Sequence, residues 1–203
     1  MTITNFPKHS YEWMLFVDGE NLAIRAKALA DSLGRILKPG PHYMQDVYIW
    51  FSGGQRGSSR EHVDAGRLNL MPQSLRSYYY TSVQGDEDKL RTVRQSLAEL
   101  SFAPVVFKKP ARQKAKGVDI QLTIDLLANA FRDNFQVAVL VAGDADYVPI
   151  VKEVQRLGKL VSLAFLRDET TGGLSPELKL ACDAFADITN SIVERNSIPG
   201  PKS

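Results

Sequence analysis

Cysteine, histidine and long apolar runs are all scarce in this chain, and each shortage removes a class of function. A single cysteine, Cys182, stands among 203 residues, so no disulfide can close within the chain. That fits a reducing cytoplasm. Its setting, Lys179-Leu180-Ala181-Cys182-Asp183-Ala184-Phe185, reads as that of a small buried residue rather than a nucleophile. The histidines, His9, His42 and His62, are scattered without zinc-site spacing, so no Cys/His metal site is expected. No stretch approaches the length of a membrane span. Met1 to Ser10 carries no apolar core of a secretory leader. The expectation is a cytoplasmic protein with no membrane partner. Also missing are a GxxxxGK[ST] phosphate loop, a GxGxxG after a strand, and any Ser/His/Asp or Cys/His nucleophile arrangement. The net charge of +2 is too small to argue for a polyanionic partner, so the distribution of charge must decide.

What is present alternates between strand and helix patterns. Apolar runs at Trp13–Val17 and Val137–Ala142 are short and bounded by Gly and Asp, as buried parallel strands are. Further strands are predicted over 46–51, 76–83, 104–107 and 160–166. Helices are predicted near 21–33, with Asn21 as cap, and after Asp86, where Leu90, Val93, Leu97 and Leu100 form a stripe. Others follow near 118–132 and 147–157, the latter ending at Gly158, and within 176–185, capped by Ser175. This alternation implies an α/β layer fold with a mainly parallel central sheet. The length suits one domain over 13–190, with an N-terminal arm at 1–12 and a C-terminal tail at 191–203 that reads as frayed.

Carboxylates recur in three separated motifs, the first and third closing apolar runs: Asp18-Gly19-Glu20-Asn21, Lys116-Gly117-Val118-Asp119 and Gly143-Asp144-Ala145-Asp146-Tyr147. In open α/β sheets the carboxyl ends of strands are where ligands bind. Each Asp alone reads as a helix cap. Together, Asp18, Asp119, Asp144 and Asp146 build an anionic pocket whose like charges call for a cation. Mg²⁺ or Mn²⁺ suits such oxygen donors, and metal-activated water can cut a phosphodiester. Asn21 could hold Asp18 or a phosphate while also capping the first helix. Asp125 lies about 120° around its helix from Asp119, and reads as a solvated or structural carboxylate. Glu20 neighbours the site in sequence and reads as pointing away from it.

Basic residues surround this acidic set. Lys108, Lys109, Arg112, Lys114 and Lys116 fall in ten residues that run directly into Asp119. Arg56 and Arg60 follow the second strand in a loop rich in Gly and Ser. A charge run is usually solvated surface. Between a strand end and an acidic pocket, it could instead steer the phosphates of a nucleic acid. Tyr78, Tyr79 and Tyr80 could stack bases, but strand alternation makes at least one of them core.

In these motifs the chain resembles the NYN domains of the PIN-like nuclease superfamily, within them the LabA-like branch. The resemblance rests on Asp18-Gly19-Glu20-Asn21, Lys116-Gly117-Val118-Asp119, Gly143-Asp144-Ala145-Asp146-Tyr147 with Val148-Pro149 behind it, and the closing segment Ser175 to Asp183. It runs in order over roughly 13–188. It implies a Rossmann-like three-layer, PIN-like fold and a Mg²⁺- or Mn²⁺-dependent ribonuclease. Metal-site roles are thereby implied for Asp18, Asp119, Asp144 and Asp146, with Asn21 beside them. The alternative is a catalytically weak or inactive module that binds RNA or protein with the same fold. A phosphohydrolase of the haloacid-dehalogenase type ranks last, because the basic loop has no use in it. A homodimer is an ordinary state for such an enzyme.

Overall fold

Six strands align in parallel in one sheet. The computed structural model describes residues 10–37, 43–44, 47–48, 68–109, 117–167 and 172–197. Strand β1 (Trp13–Asp18) leads into helix α1 (Gly19–Ser32), followed by the short strand β2 (Arg35–Leu37) and the pair β3 (Tyr43–Met44) and β4 (Val47–Tyr48). Strand β5 (Arg76–Val83), helix α2 (Glu87–Glu99) and strand β6 (Ala103–Lys108) come next. Then follow helix α3 (Val118–Phe131), strand β7 (Val137–Val141), a 3₁₀ turn at Ala145–Tyr147 and helix α4 (Val148–Arg156). Strand β8 (Leu160–Phe165), helix α5 (Pro176–Ala181), strand β9 (Ala184–Asp187), helix α6 (Thr189–Ile192) and strand β10 (Val193–Ser197) complete the order.

The main sheet runs β6-β5-β1-β7-β8-β9, and every pairing in it is parallel. From β1 the chain adds strands in one direction, then crosses back to β7 and adds them in the other. That is the doubly wound order, with its switch point between β1 and β7. Alternation within β1 sends Trp13, Leu15 and Val17 into one buried layer with α1 and α2. Met14 and Phe16 enter the other, with Leu122 and Leu126 of α3 and Ile150, Val151 and Val154 of α4. Helices on both faces bury the sheet, which is why its central strands β1 and β7 read as continuous apolar runs rather than alternating ones.

Several elements differ from their sequence reading. Of the strand expected over 46–51, Val47–Tyr48 lies among the described residues and pairs antiparallel with Tyr43–Met44 outside the main sheet, while 46 and 49–51 lie outside them. The helix expected within 176–185 forms at Pro176–Ala181 with Ser175 as its cap, but Ala184–Asp187, not read as a strand, becomes the edge strand β9. The tail expected from 191 begins as structure: Ile192 and Val193 are buried, and β10 pairs antiparallel with β2. Two of the three adjacent tyrosines are core, Tyr79 toward one layer and Tyr80 toward the other. Tyr78 stacks on Phe16 with centroids 5.5 Å apart. Cys182 is half-buried, and burial followed by the charge of Asp183 pushes its thiol up to about 12. No helix among the described residues is long and apolar enough to cross a membrane.

Candidate functional site

Because the strand order reverses between β1 and β7, their carboxyl ends lie side by side at the switch point, and the first and third acidic motifs meet there. β1 ends in Asp18, while β7 continues through Ala142 and Gly143 to Asp144. Asp18 is buried, and both of its oxygens are engaged. Oδ1 accepts the Asn21 backbone N–H at 3.0 Å and so caps α1. Oδ2 accepts the Tyr147 hydroxyl at 2.7 Å. Burial pushes the Asp18 carboxyl up to about 6 despite these two hydrogen bonds, and Asp144 and Glu20 repel its charge further.

Asn21 is therefore not the cap. It lies inside α1 and turns its amide toward the end of β7: Nδ2 donates to Asp144 Oδ2 at 2.7 Å, and Oδ1 accepts the Gly143 N–H at 2.9 Å. One buried amide thus ties the first acidic motif to the third. Arg25, one turn further along α1, sits with Nη2 3.6 Å from Asp144 Oδ1. Tyr147 is buried, and its hydroxyl is held protonated. Desolvation first, then the carboxylates of Asp18, Asp119 and Asp144, push its ionisation well above the usual phenol range.

Asp119 is exposed in the first turn of α3 and acts on that same hydroxyl through its charge. Gly117 starts the helix with φ of 104°, a left-handed conformation that favours glycine. Asp146 is exposed on the 3₁₀ turn. Among the described residues, no group of three or more His, Cys, Asp or Glu side chains stands close enough together to hold a metal ion. The structure therefore joins Asp18, Asn21 and Asp144 by hydrogen bonds, sets Asp119 within electrostatic reach and leaves Asp146 at the surface.

Glycine is required beside both buried ends of this network. A Cβ at Gly19 would drive into the Tyr79 ring, and one at Gly143 would meet the Gly173 carbonyl and the Phe165 ring. These are close approaches rather than turns, and they let α1 and the third motif sit flush on the sheet edge.

The remaining acids have other duties. Asp125 accepts the Tyr80 hydroxyl at 3.0 Å and the Gln121 amide at 3.1 Å, as a structural carboxylate does. Glu20 accepts the Ser82 hydroxyl at 2.6 Å and pairs with Lys109 at 2.5 Å, beside the site rather than away from it. Of the expected basic rim, Lys108 pairs with Glu87 at 3.6 Å, so both described lysines face acids. Arg112, Lys114, Lys116, Arg56 and Arg60 lie outside the described residues. Sequence reasoning alone does not place Tyr147 or Arg25 in the site. The signals were there: Tyr147 closes the third motif, and Arg25 is four residues beyond Asn21 on the same helical face.

With this geometry in place, the comparison with known families is decisive: the NYN domain profile matches residues 12–189. The chain belongs to the NYN domain family. It thereby falls within the PIN-like nuclease superfamily. No curated protein matches it. Among solved structures, a protein of unknown function from Vibrio parahaemolyticus is similar over 93% of this chain and 99% of its own, with 17% identity and a TM-score of 0.56. That likeness concerns the fold. This NYN domain thus places two acidic motifs and a bridging asparagine at the switch point of its sheet.

Proposed function

We propose that this NYN domain binds RNA across the carboxyl edge of its sheet, and that the arrangement described here is that of a regulatory binding module. The observation behind this reading is that its central carboxylates already have protein partners. Asp18 receives Asn21 and Tyr147, while Asp144 receives Asn21 and faces Arg25. Phosphate contacts by Lys108 and Lys109, and by Arg112, Lys114, Lys116, Arg56 and Arg60, would then supply affinity.

A second reading, a divalent-metal-dependent ribonuclease, is favoured by a different observation. Asp18, Asp119 and Asp144 all act on one buried hydroxyl, that of Tyr147. Their donors are carboxylate oxygens, with an amide beside them, which is the chemistry Mg²⁺ or Mn²⁺ prefers. In that reading Asp18, Asp119, Asp144 and Asp146 would hold the ion, and Asn21 would orient Asp144. The chemistry such an ion supplies when bound is activation of water against a phosphodiester. Tyr147 donates its hydroxyl proton to Asp18 Oδ2 and so holds that carboxylate in place.

One experiment separates the two. Mixed short RNAs are incubated with Mg²⁺, Mn²⁺ or chelator, and both binding and cleavage are measured for the wild type and Asp144→Asn. The module reading expects binding by the wild type with no metal-dependent cleavage. The nuclease reading expects cleavage that disappears in Asp144→Asn and in chelator while affinity holds or rises. Cleavage that persists unchanged in both removes these carboxylates from any catalytic role. A wild type that neither binds nor cuts RNA overturns both readings.

A further inference from the structure

Among the described residues, Arg25 is the cation that meets Asp144 on the acidic edge, and its surroundings are not those of a structural ion pair. It is spaced i, i+4 from Asn21 on α1, and helical side chains slant toward the helix N-terminus, so its guanidinium leans back toward Asp144. It meets Asp144 at 3.6 Å, with side-chain exposures of 34% and 47% for the two partners. A half-exposed pair at that distance adds little to stability. Nor is Arg25 needed to place Asp144, whose other oxygen is already fixed by the Asn21 amide at 2.7 Å. The same pattern recurs on the β6 side of Asp18, where Lys109 rests on Glu20 at 2.5 Å. Each acidic flank of Asp18 thus holds a long cationic side chain that is still solvent-accessible.

We infer that Arg25 is a phosphate-contacting, positioning residue of the RNA site, parked on Asp144 until a backbone phosphate takes its place. This rests on the RNA reading above and extends it to a residue in the centre of the site. Guanidinium matches phosphate as a planar fork, forming two parallel N–H···O bonds, whereas the 3.6 Å approach to Asp144 leaves that capacity largely unused. Exchange of one anion for the other costs no buried charge. It also leaves Asp144 with its asparagine donor and without its cation, at the moment a phosphate arrives.

The test uses the full chain and a labelled single-stranded RNA of mixed sequence in chelator, so that binding is read without turnover. Affinity is followed against salt for the wild type, Arg25→Ala, Arg25→Lys and the remote control Arg156→Ala, with thermal melts alongside. Arg25→Ala should bind roughly 3- to 10-fold more weakly, and its log–log salt slope should be shallower by about 0.7, the value for one phosphate on a single strand. Arg25→Lys should keep that slope while losing part of the affinity, and Arg156→Ala should match the wild type. Asp144→Asn should bind more tightly, and much of that gain should vanish in the Arg25→Ala background, because the freed arginine is its source. Wild-type binding with an unchanged slope in Arg25→Ala, or an Asp144→Asn gain independent of Arg25, would overturn the assignment and leave the RNA reading intact. A wild type with no RNA affinity would overturn the RNA reading and this inference with it.

Discussion

The Tyr147 hydroxyl donates to Asp18 Oδ2 at 2.7 Å, joining residues 129 positions apart across the switch point of the sheet. Both side chains are buried, so the bond is made where water cannot replace it. A hydrogen bond to a charged group is worth about 1.5–3 kcal/mol, and a buried carboxylate oxygen left without a donor loses that support. Tyr147→Phe should therefore lower stability by about that amount in urea unfolding at pH 7. Equal unfolding midpoints for the two proteins at pH 7 would mean that the hydroxyl contributes nothing there.

Asp18 makes a second prediction, opposite in sign. Its folded carboxyl is raised to about 6 from 3.8, so between these values the native state holds a proton that the unfolded chain has released. Stability contributed by the neutral carboxyl is present below pH 3.8 and lost as pH rises through about 6. Above that, the buried charge costs on the order of 2–3 kcal/mol, at 1.36 kcal/mol per pKa unit. Asp18→Asn keeps an oxygen for the α1 cap and cannot ionise. It should melt higher than the wild type at pH 7 to 8, by roughly 2–4 °C per kcal/mol, with the gap closing near pH 4. A lower melting temperature for Asp18→Asn at pH 7 would show that capping, not charge burial, dominates at this residue.

Much of this framework was legible in the sequence, for identifiable reasons. β5 was read at Arg76–Val83 because β-branched and aromatic residues fill it. α2 was read from its cap at Asp86, whose side chain accepts the Lys89 N–H at 2.9 Å. Asp18 and Asp144 were expected at strand ends, and the doubly wound order brings those ends together. What stayed hidden depends on pairing between distant segments. β9 is four residues with no alternation of its own, and it becomes a strand because β8 offers it an edge. β10 exists through its pairing with β2. The Asn21 bridge was hidden for a related reason: an asparagine after a strand looks like a cap until Asp18 is seen to hold that position.

Gly19 supplies a packing prediction. A methyl there would enter the Tyr79 ring, and that ring is itself fixed edge-on against Phe102, with centroids 5.1 Å apart. Overpacking of this kind costs about 1–3 kcal/mol. Gly19→Ala should lose that stability, and the double variant with Tyr79→Leu should recover part of it. Loss without any recovery in the double variant would assign the effect to the backbone of α1 rather than to the ring.

The pair of Lys109 and Glu20 connects the basic run to the acidic edge, so it tests whether that run serves RNA at all. Lys109 follows β6 within the basic run, and its amine rests 2.5 Å from Glu20, which also receives Ser82. If RNA phosphates draw the lysine away, Lys109→Ala should weaken binding and flatten the log–log salt slope by about 0.7. Glu20→Gln should act in the other direction, since the amide keeps a partner for Ser82 while releasing the lysine and removing a negative charge from beside Asp18. Its RNA affinity should rise, most clearly at low salt, where screening is weakest. Unchanged slopes in Lys109→Ala, together with unchanged affinity in Glu20→Gln, would return this pair to a surface ion pair with no part in RNA binding. The affinity would then have to come from the other cations of the rim.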